Sequence, residues 1–248
     1  METKRKVATY HKPSSVSEKK VAFINIKPCG LQGFYFIYEG FTMDKIYECA
    51  NNFSRLLSTK YKFTIVSKRK LKTIVLDFMK EDFRHASGMR YIDDITIENN
   101  PSKLVDAILN QSITDAMLEK SSKYTTAKRP EGGSVKERVA EFCYLEDYLD
   151  KSDFIRIFEV QNFGSWIEAE YFIEASNRQR QTTVYIFIRK RVENDNYVVV
   201  SFFEKSATYK GTAAYWMLKE KITEDDHLIL YRNPNFDVKQ LEDSGIDS

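Results

Sequence analysis

Near residue 152 the spacing of apolar side chains changes from about 3.6 to about 2, and this switch restricts the fold more than any single motif. Beyond it, FIRIFEV (154–160), AEYFIEAS (169–176), TVYIFIRK (183–190) and YVVVSFFE (197–204) are four consecutive strand candidates, rich in β-branched and aromatic residues. The breaks between them hold Gly164, Ser176, Asn177 and the polar run ENDN. Parallel crossovers need a dozen or more residues, so these short connections predict an antiparallel meander. Before the switch the pattern is mainly helical, and helices followed by a run of strands is the α+β arrangement. The expected fold class is therefore α+β, with N-terminal helices and a β-hairpin leading into a four-stranded antiparallel meander sheet.

In the N-terminal half, Met43, Ile46, Tyr47, Ala50, Phe53 and Leu57 share one face of a helix that starts at Thr42 as N-cap and ends near Thr59. YKFTIVSK (61–68) and KLKTIVLDF (70–78) flank a basic pivot, Lys68, Arg69 and Lys70, and read as a hairpin. Asn100 before Pro101 predicts a capped helix through about Leu109, and another helix is expected near 113–121. SSKYTTAKRPEGGS reads as a loop, and Val135, Val139, Phe142, Cys143, Leu145 and Leu149 mark a helix ending by Lys151. A last helix is expected over 211–221, followed by a strand-like HLILYRN. At the front, the short runs 21–26 and 34–40 read as a strand pair or an extended covering segment. Residues 1–20, with six Lys or Arg against two Glu, read as a disordered basic arm, either a solvated tail or a nucleic-acid contact. This organisation gives one domain over 21–232 and a flexible acidic tail over 233–248. No repeat period appears.

A chain of 248 residues that is 42% hydrophobic buries a substantial core, which excludes wholesale disorder. A net charge of only +2 means that any grip on a polyanion comes from local clustering. No stretch approaches the roughly 18 apolar residues of a membrane helix, and no signal-peptide core is present, so no membrane partner is expected. Cys29, Cys49 and Cys143 form neither a disulfide framework nor a ligand spacing, which fits a reducing, cytoplasmic compartment. There is no phosphate-binding glycine loop, dinucleotide fingerprint, HExxH or GxSxG, so no metal and no cofactor is expected.

Chemistry-bearing residues concentrate in three places. In EDFRHASGMRYIDDITI, His85 stands beside Arg84, Ser87 and Gly88, which together offer a guanidinium, a hydroxyl and an open backbone position for a phosphate. The plainer reading is that Gly88 caps a short helical turn and His85 satisfies nearby carbonyls. Residues 177–191 hold Arg178, Arg180, Arg189, Lys190 and Arg191 with no acid, beside Tyr185 and Phe187. That is a surface suited to single-stranded nucleic acid, or equally a charge-protected sheet edge. Lys205 and Tyr209 sit just past a strand end. Asp93–Asp94 and Asp225–Asp226 read as caps more readily than as metal ligands. Glu137 and Arg138 read as solvated helix residues, Arg138 being the one to follow into the structure.

NNFSRLLSTKYKFTIVSKRKLKTIVLDFMKEDFRHASGMRYIDDI resembles the opening of the fourth group of phage-associated nuclease-like domains in the barnase–EndoU–colicin–RelE superfamily. The group runs from a helix into a phrase like LLNKKYxF, through a Lys-rich hairpin, to FxHLTGL and a short xxDI. Here that phrase is Phe83, Arg84, His85, Ala86, Ser87, Gly88 and Met89, followed by Tyr91, Ile92, Asp93, Asp94 and Ile95, with Ala for Leu and Ser for Thr. SFFEKSATYKGTAAYWMLKEKI (201–222) is similar to the family's ending, and the resemblance covers 45–232. It implies helices before a four-stranded antiparallel sheet. It also implies an endoribonuclease-like protein of phage or mobile-element origin, a toxin or host-interference factor in a bacterial cell, cleaving RNA without metal by 2′-hydroxyl attack. His85 would be the acid or base, Tyr209 or Lys205 its partner, and Arg84 or Arg189 the charge stabilisers. Arg84, Ser87, Gly88, Arg178, Arg180 and Arg189 would bind substrate. The implied partners are RNA and an antitoxin or immunity protein. A non-catalytic nucleic-acid- or protein-binding module on the same fold is the alternative.

Overall fold

The computed structural model describes residues 21–23, 36–38, 44–126, 133–159, 167–205 and 209–237. The expected basic arm and most of the expected acidic tail lie outside these residues. Contacts divide the chain into residues 1–43 and 44–248. In the first unit, β1 (Val21–Phe23) and β2 (Phe36–Tyr38) pair antiparallel with Ala22 opposite Ile37, which is the strand-pair reading.

In the second unit, α1 (Lys45–Leu56) buries Ile46, Cys49, Ala50, Phe53 and Leu56 along one face. Its N-cap is Asp44 rather than Thr42, and the Asp44 carboxylate accepts from the Tyr47 amide at 3.3 Å. The basic hairpin follows as β3 (Lys60–Ser67) and β4 (Lys70–Leu76). Its two turn residues, Lys68 and Arg69, take φ of 51° and 64°, the left-handed pair that a two-residue hairpin requires. A short α2 (Asp82–Ala86) leads through Gly88 to a 3₁₀ turn, Met89–Tyr91. The Asn100 side chain accepts from the Ser102 amide to start α3 (Pro101–Leu109), as the Asn-Pro pair predicts. Two four-residue turns, α4 (Asp115–Leu118) and α5 (Ser122–Thr125), follow, the second inside the stretch read as loop. The single helix expected up to Lys151 is two, α6 (Val135–Phe142) and α7 (Leu145–Asp150), broken at Cys143 and Tyr144.

The four-stranded meander sheet expected for the C-terminal half is overturned. β5 (Phe154–Phe158), β6 (Tyr171–Asn177), β7 (Thr182–Lys190) and β8 (Tyr197–Glu204) do pair in sequence, but they are only part of a closed ring. The segment expected as a last helix is the strand β9 (Gly211–Ile222), and β10 (His227–Arg232) lies alongside it. Around the ring the order is β9-β3-β4-β8-β7-β6-β5 and back to β9, a closed seven-stranded mixed barrel with β10 as an eighth strand outside it. All neighbours are antiparallel except β4 and β8, which touch in parallel at Leu76 and Tyr197.

β9 closes the ring because both of its edges find partners: β3 on one side, and β5 then β10 on the other. Ala, Met, Leu, Lys and Glu favour helix in isolation, but two rows of ladder hydrogen bonds and burial override that preference. One face of the barrel strands packs with the helices into a single core, where Phe142 and Tyr148 meet Phe202 of β8. The opposite face of β5–β8 carries a second aromatic cluster, Phe158, Phe172, Tyr185, Phe187 and Phe203, against which Tyr209 packs.

Candidate active site

The position of α2 is fixed by a buried knot of charge. Arg191, just past β7, donates from Nε to Asp77 Oδ1 at 2.7 Å and from Nη2 to Asp82 Oδ2 at 2.5 Å. Asp77 also accepts from Asn196 at 2.6 Å, and Asp82 from the Met79 amide at 2.7 Å. The Arg191 side chain is only 7% exposed. Burial works against its charge, but hydrogen bonds to Asp82 and Asp77 outweigh that and raise its pKa. The knot ties the ends of β4 and β7 to the first residue of α2, so the residue one turn on, His85, sits on a rigid frame.

Past α2 the chain reverses at Gly88, whose φ of +82° favours glycine, and the next turn brings Arg90 and Tyr91 back against His85. Arg90 Nη1 lies 2.7 Å from His85 Nδ1, and its Nη2 donates to the Tyr91 hydroxyl at 2.7 Å. A guanidinium only donates, so Nδ1 accepts and the neutral ring carries its proton on Nε2. The His85 ring still reaches solvent; its partial burial, then the charges of Arg90, Arg189 and Arg84, push its pKa below the usual imidazole value. The charges acting on it among the described residues are all positive.

Behind this layer lies Arg138 of α6. It is 9% exposed, it has no carboxylate partner among the described residues, and its Nε is buried without a hydrogen-bond acceptor. Its guanidinium carbon lies 5.7 Å from the ring centres of both Tyr91 and Phe203. Its side chain runs so close to Gly88 that a Cβ there would stand 3.0 Å from Arg138 Cδ. Burial, only partly offset by Tyr91, holds the guanidinium below its ordinary pKa. The reading of Arg138 as solvated is therefore corrected. The signal was present in sequence: Val135, Arg138, Val139 and Phe142 stand at i, i+3, i+4 and i+7, which puts the arginine on the apolar stripe. Glu137 instead closes the capping box with Ser134.

The other residues singled out in sequence separate. Arg84 donates to Asn99 at 3.2 Å, next to His85. Ser87 is fully buried and donates to the Phe83 carbonyl at 2.6 Å, which anchors the turn. Arg189 acts on His85 by charge and pairs with the exposed Glu168 at 3.1 Å. Arg180 is tied to Glu141 at 2.5 Å and lies over Tyr144, while Arg178 is exposed in the β6–β7 turn. Lys205 pairs with Glu174 at 2.7 Å and lies 5.5 Å over the Tyr185 ring, which Tyr209 also meets at 5.3 Å. Phe203 links this second group to the first, 5.9 Å from the Tyr209 ring and 5.7 Å from Arg138. Arg90 and Tyr91, which the sequence reading passed over as site residues, are the side chains that touch His85 and its partner. Asp94 accepts from Ser121 and Ser122, whose hydroxyls hold its carboxyl down to about 2. No helix among the described residues is long and apolar enough to cross a membrane.

Set against known families, residues 45–233 match the model of the phage-Barnase-EndoU-ColicinE5/D-RelE like nuclease, group 4. The chain belongs to this family. The match spans α1 through β10, so the barrel, the His85 turn and Arg138 all fall inside the nuclease-like domain. No curated protein and no solved structure matches the chain at a significant level.

Proposed function

We propose that this nuclease-family chain is an endoribonuclease that cleaves by attack of a ribose 2′-hydroxyl on the adjacent phosphate. The observation that carries the reading is a solvent-reaching histidine, neutral near pH 7, set among Arg84, Arg90 and Arg189 with a further arginine buried behind. In-line cleavage needs a proton acceptor for the 2′-oxygen, a donor for the departing 5′-oxygen, and fixed cations around the phosphorane. His85 and the arginines meet the first and third needs, the cations taking the share of charge neutralisation that other nucleases give to a metal ion.

Arg90 ties the groups together. When a phosphate oxygen draws its guanidinium away, Nδ1 of His85 regains a free lone pair and accepts the 2′-hydroxyl proton. The new 2′-O–P bond forms as the P–O5′ bond breaks, and the 5′-oxygen takes a proton from Tyr91, whose hydroxyl already lies at Arg90. The product ends are a 2′,3′-cyclic phosphate and a 5′-hydroxyl. Tyr209 and Lys205 lie on the neighbouring aromatic face, where their surroundings suit a base stacked beside the cleaved phosphate. A toxin or host-interference role belongs to the same reading, with an inhibitor masking the arginines.

Pure protein incubated with mixed RNA in EDTA tests this, beside His85→Ala. The wild type is expected to cut and leave cyclic phosphate ends, and the variant to lose about 10²–10⁴-fold in rate. Equal cutting by both, or cutting that EDTA abolishes, would overturn it. Intact RNA with a steep salt dependence of binding would point to the non-catalytic binding module.

A further inference from the structure

We infer that Arg138 and Arg90, beside the His85 turn, form a site for a phosphoryl group, with Arg138 as its buried anchor. For the choice of ligand this rests on the nuclease reading of the same site; the site itself rests on geometry. Taking a guanidinium out of water is costly unless an anion or carboxylate compensates it. Arg191 shows how this fold compensates a buried arginine, with two carboxylates at 2.5–2.7 Å. Arg138 has two aromatic rings, a hydrogen bond to Tyr91 and a buried, unused Nε, but no carboxylate among the described residues. The rings restore part of the lost solvation, and an N–H in a dry setting is left to be satisfied.

The surroundings fix the sign of what fits. Arg90 acts on Arg138 as a like charge, and Arg84 and Arg189 add to the same field at His85. Clustered cations repel one another until an anion joins them, and of these only Arg189 has a carboxylate partner among the described residues, the exposed Glu168. Gly88 lets the Arg138 side chain pass close to the turn, since a Cβ there would stand 3.0 Å from its Cδ and 3.2 Å from its Nε. The forked N–H groups of arginine suit the oxygens of a phosphoryl group, and the neutral His85 presents a further donor at Nε2.

Inorganic phosphate titrated into the full chain tests the site, followed by calorimetry and by the His85 imidazole signals in NMR. The wild type is expected to bind saturably, with the His85 pKa rising as phosphate fills the site. Arg138→Met keeps the length of the side chain and removes the charge; it is expected to weaken phosphate binding about tenfold to a hundredfold. Thermal unfolding without phosphate should stay unchanged or move upward, since an uncompensated buried charge is gone. Arg138→Lys, which keeps the charge but not the fork, should retain part of the affinity. Unchanged phosphate affinity in folded Arg138→Met, or a lower melting temperature with unchanged affinity, would overturn the inference and make the residue a strut between two rings. Should Arg138→Met not fold, phosphate affinity in Arg138→Lys equal to wild type would do the same. The two readings fail separately: saturable, Arg138-dependent phosphate binding with uncut RNA removes only the nuclease, and cut RNA with no phosphate binding removes only the anchor.

Discussion

Arg191 and Arg138 are both buried arginines within reach of the same short helix, and they are treated in opposite ways. Around Arg191 the fold gathers Asp77, Asp82 and Asn196 into a satisfied knot that no ligand improves. Around Arg138 it gathers Tyr91, Phe203 and Gly88, and among the described residues no acid. The first arrangement holds α2 in place; the second stores a charge. A buried guanidinium thus reports on function through its partners rather than through its burial, and comparing two within one chain removes the differences of context that usually blur such a reading.

The largest effect that sharpens this contrast is expected at the knot. Arg191→Ala leaves Asp77 and Asp82 facing each other without their shared cation, and loss of about 3–5 kcal/mol of stability is expected in urea unfolding. A loss as small as that of an exposed ion pair would erase the contrast, because the knot would then be holding nothing. A smaller effect is expected at Gly88. Gly88→Ala forces a left-handed alanine and presses its Cβ on the Arg138 side chain, for about 1–2 kcal/mol from the backbone alone. Stability within a few tenths of wild type would mean the turn is not held in this form.

The smallest effect is one of pH. The folded His85 has a pKa below the ordinary unfolded value of about 6.5, so between the two values the unfolded chain holds the extra proton and stability falls as pH falls. Arg90→Ala removes one of the charges that depress it. The His85 pKa should rise in an NMR titration, and the stability lost as pH falls below about 6.5 should shrink. A His85 pKa unmoved by that substitution would separate Arg90 from the cluster.

What could be read from the sequence was what is local. The Asn100–Pro101 cap, the Lys68–Arg69 turn and the period-2 runs from 154 to 204 depend on a few neighbouring residues. The ring could not be read, because its closing contacts join residues such as Phe63 and Lys219 that are far apart in the chain. β9 conceals itself further. An extra residue at Met217 shifts its register against β3, and afterwards Lys219 and Lys221 turn inward, so the lysines that look like a helix's solvated side are buried. Lys219 donates to Ser152 Oγ at 2.7 Å, and burial pushes its ammonium down to about 8. For the site, the phrase around His85 stood out because glycine and histidine interrupt the pattern. Arg138 comes to Gly88 from fifty residues further along, and only its misplaced position on an apolar stripe betrayed it.

The seam at β9 also sets an order in time. Every side chain discussed for the site precedes Gly211 in the chain, yet the ring that holds β7 and β8 has no closure until 211–222 has been made. At about 5–20 residues per second, the nascent chain spends of order one to a few seconds between the end of β8 and the end of β9. In that interval the edges of β3 and β5 that β9 will cover have no partner, which is when such a chain is most exposed to pairing with a neighbour. Its arginines ride meanwhile on an unfinished frame, and the last strand of the ring to be translated, with only β10 after it, is the one that makes the frame whole.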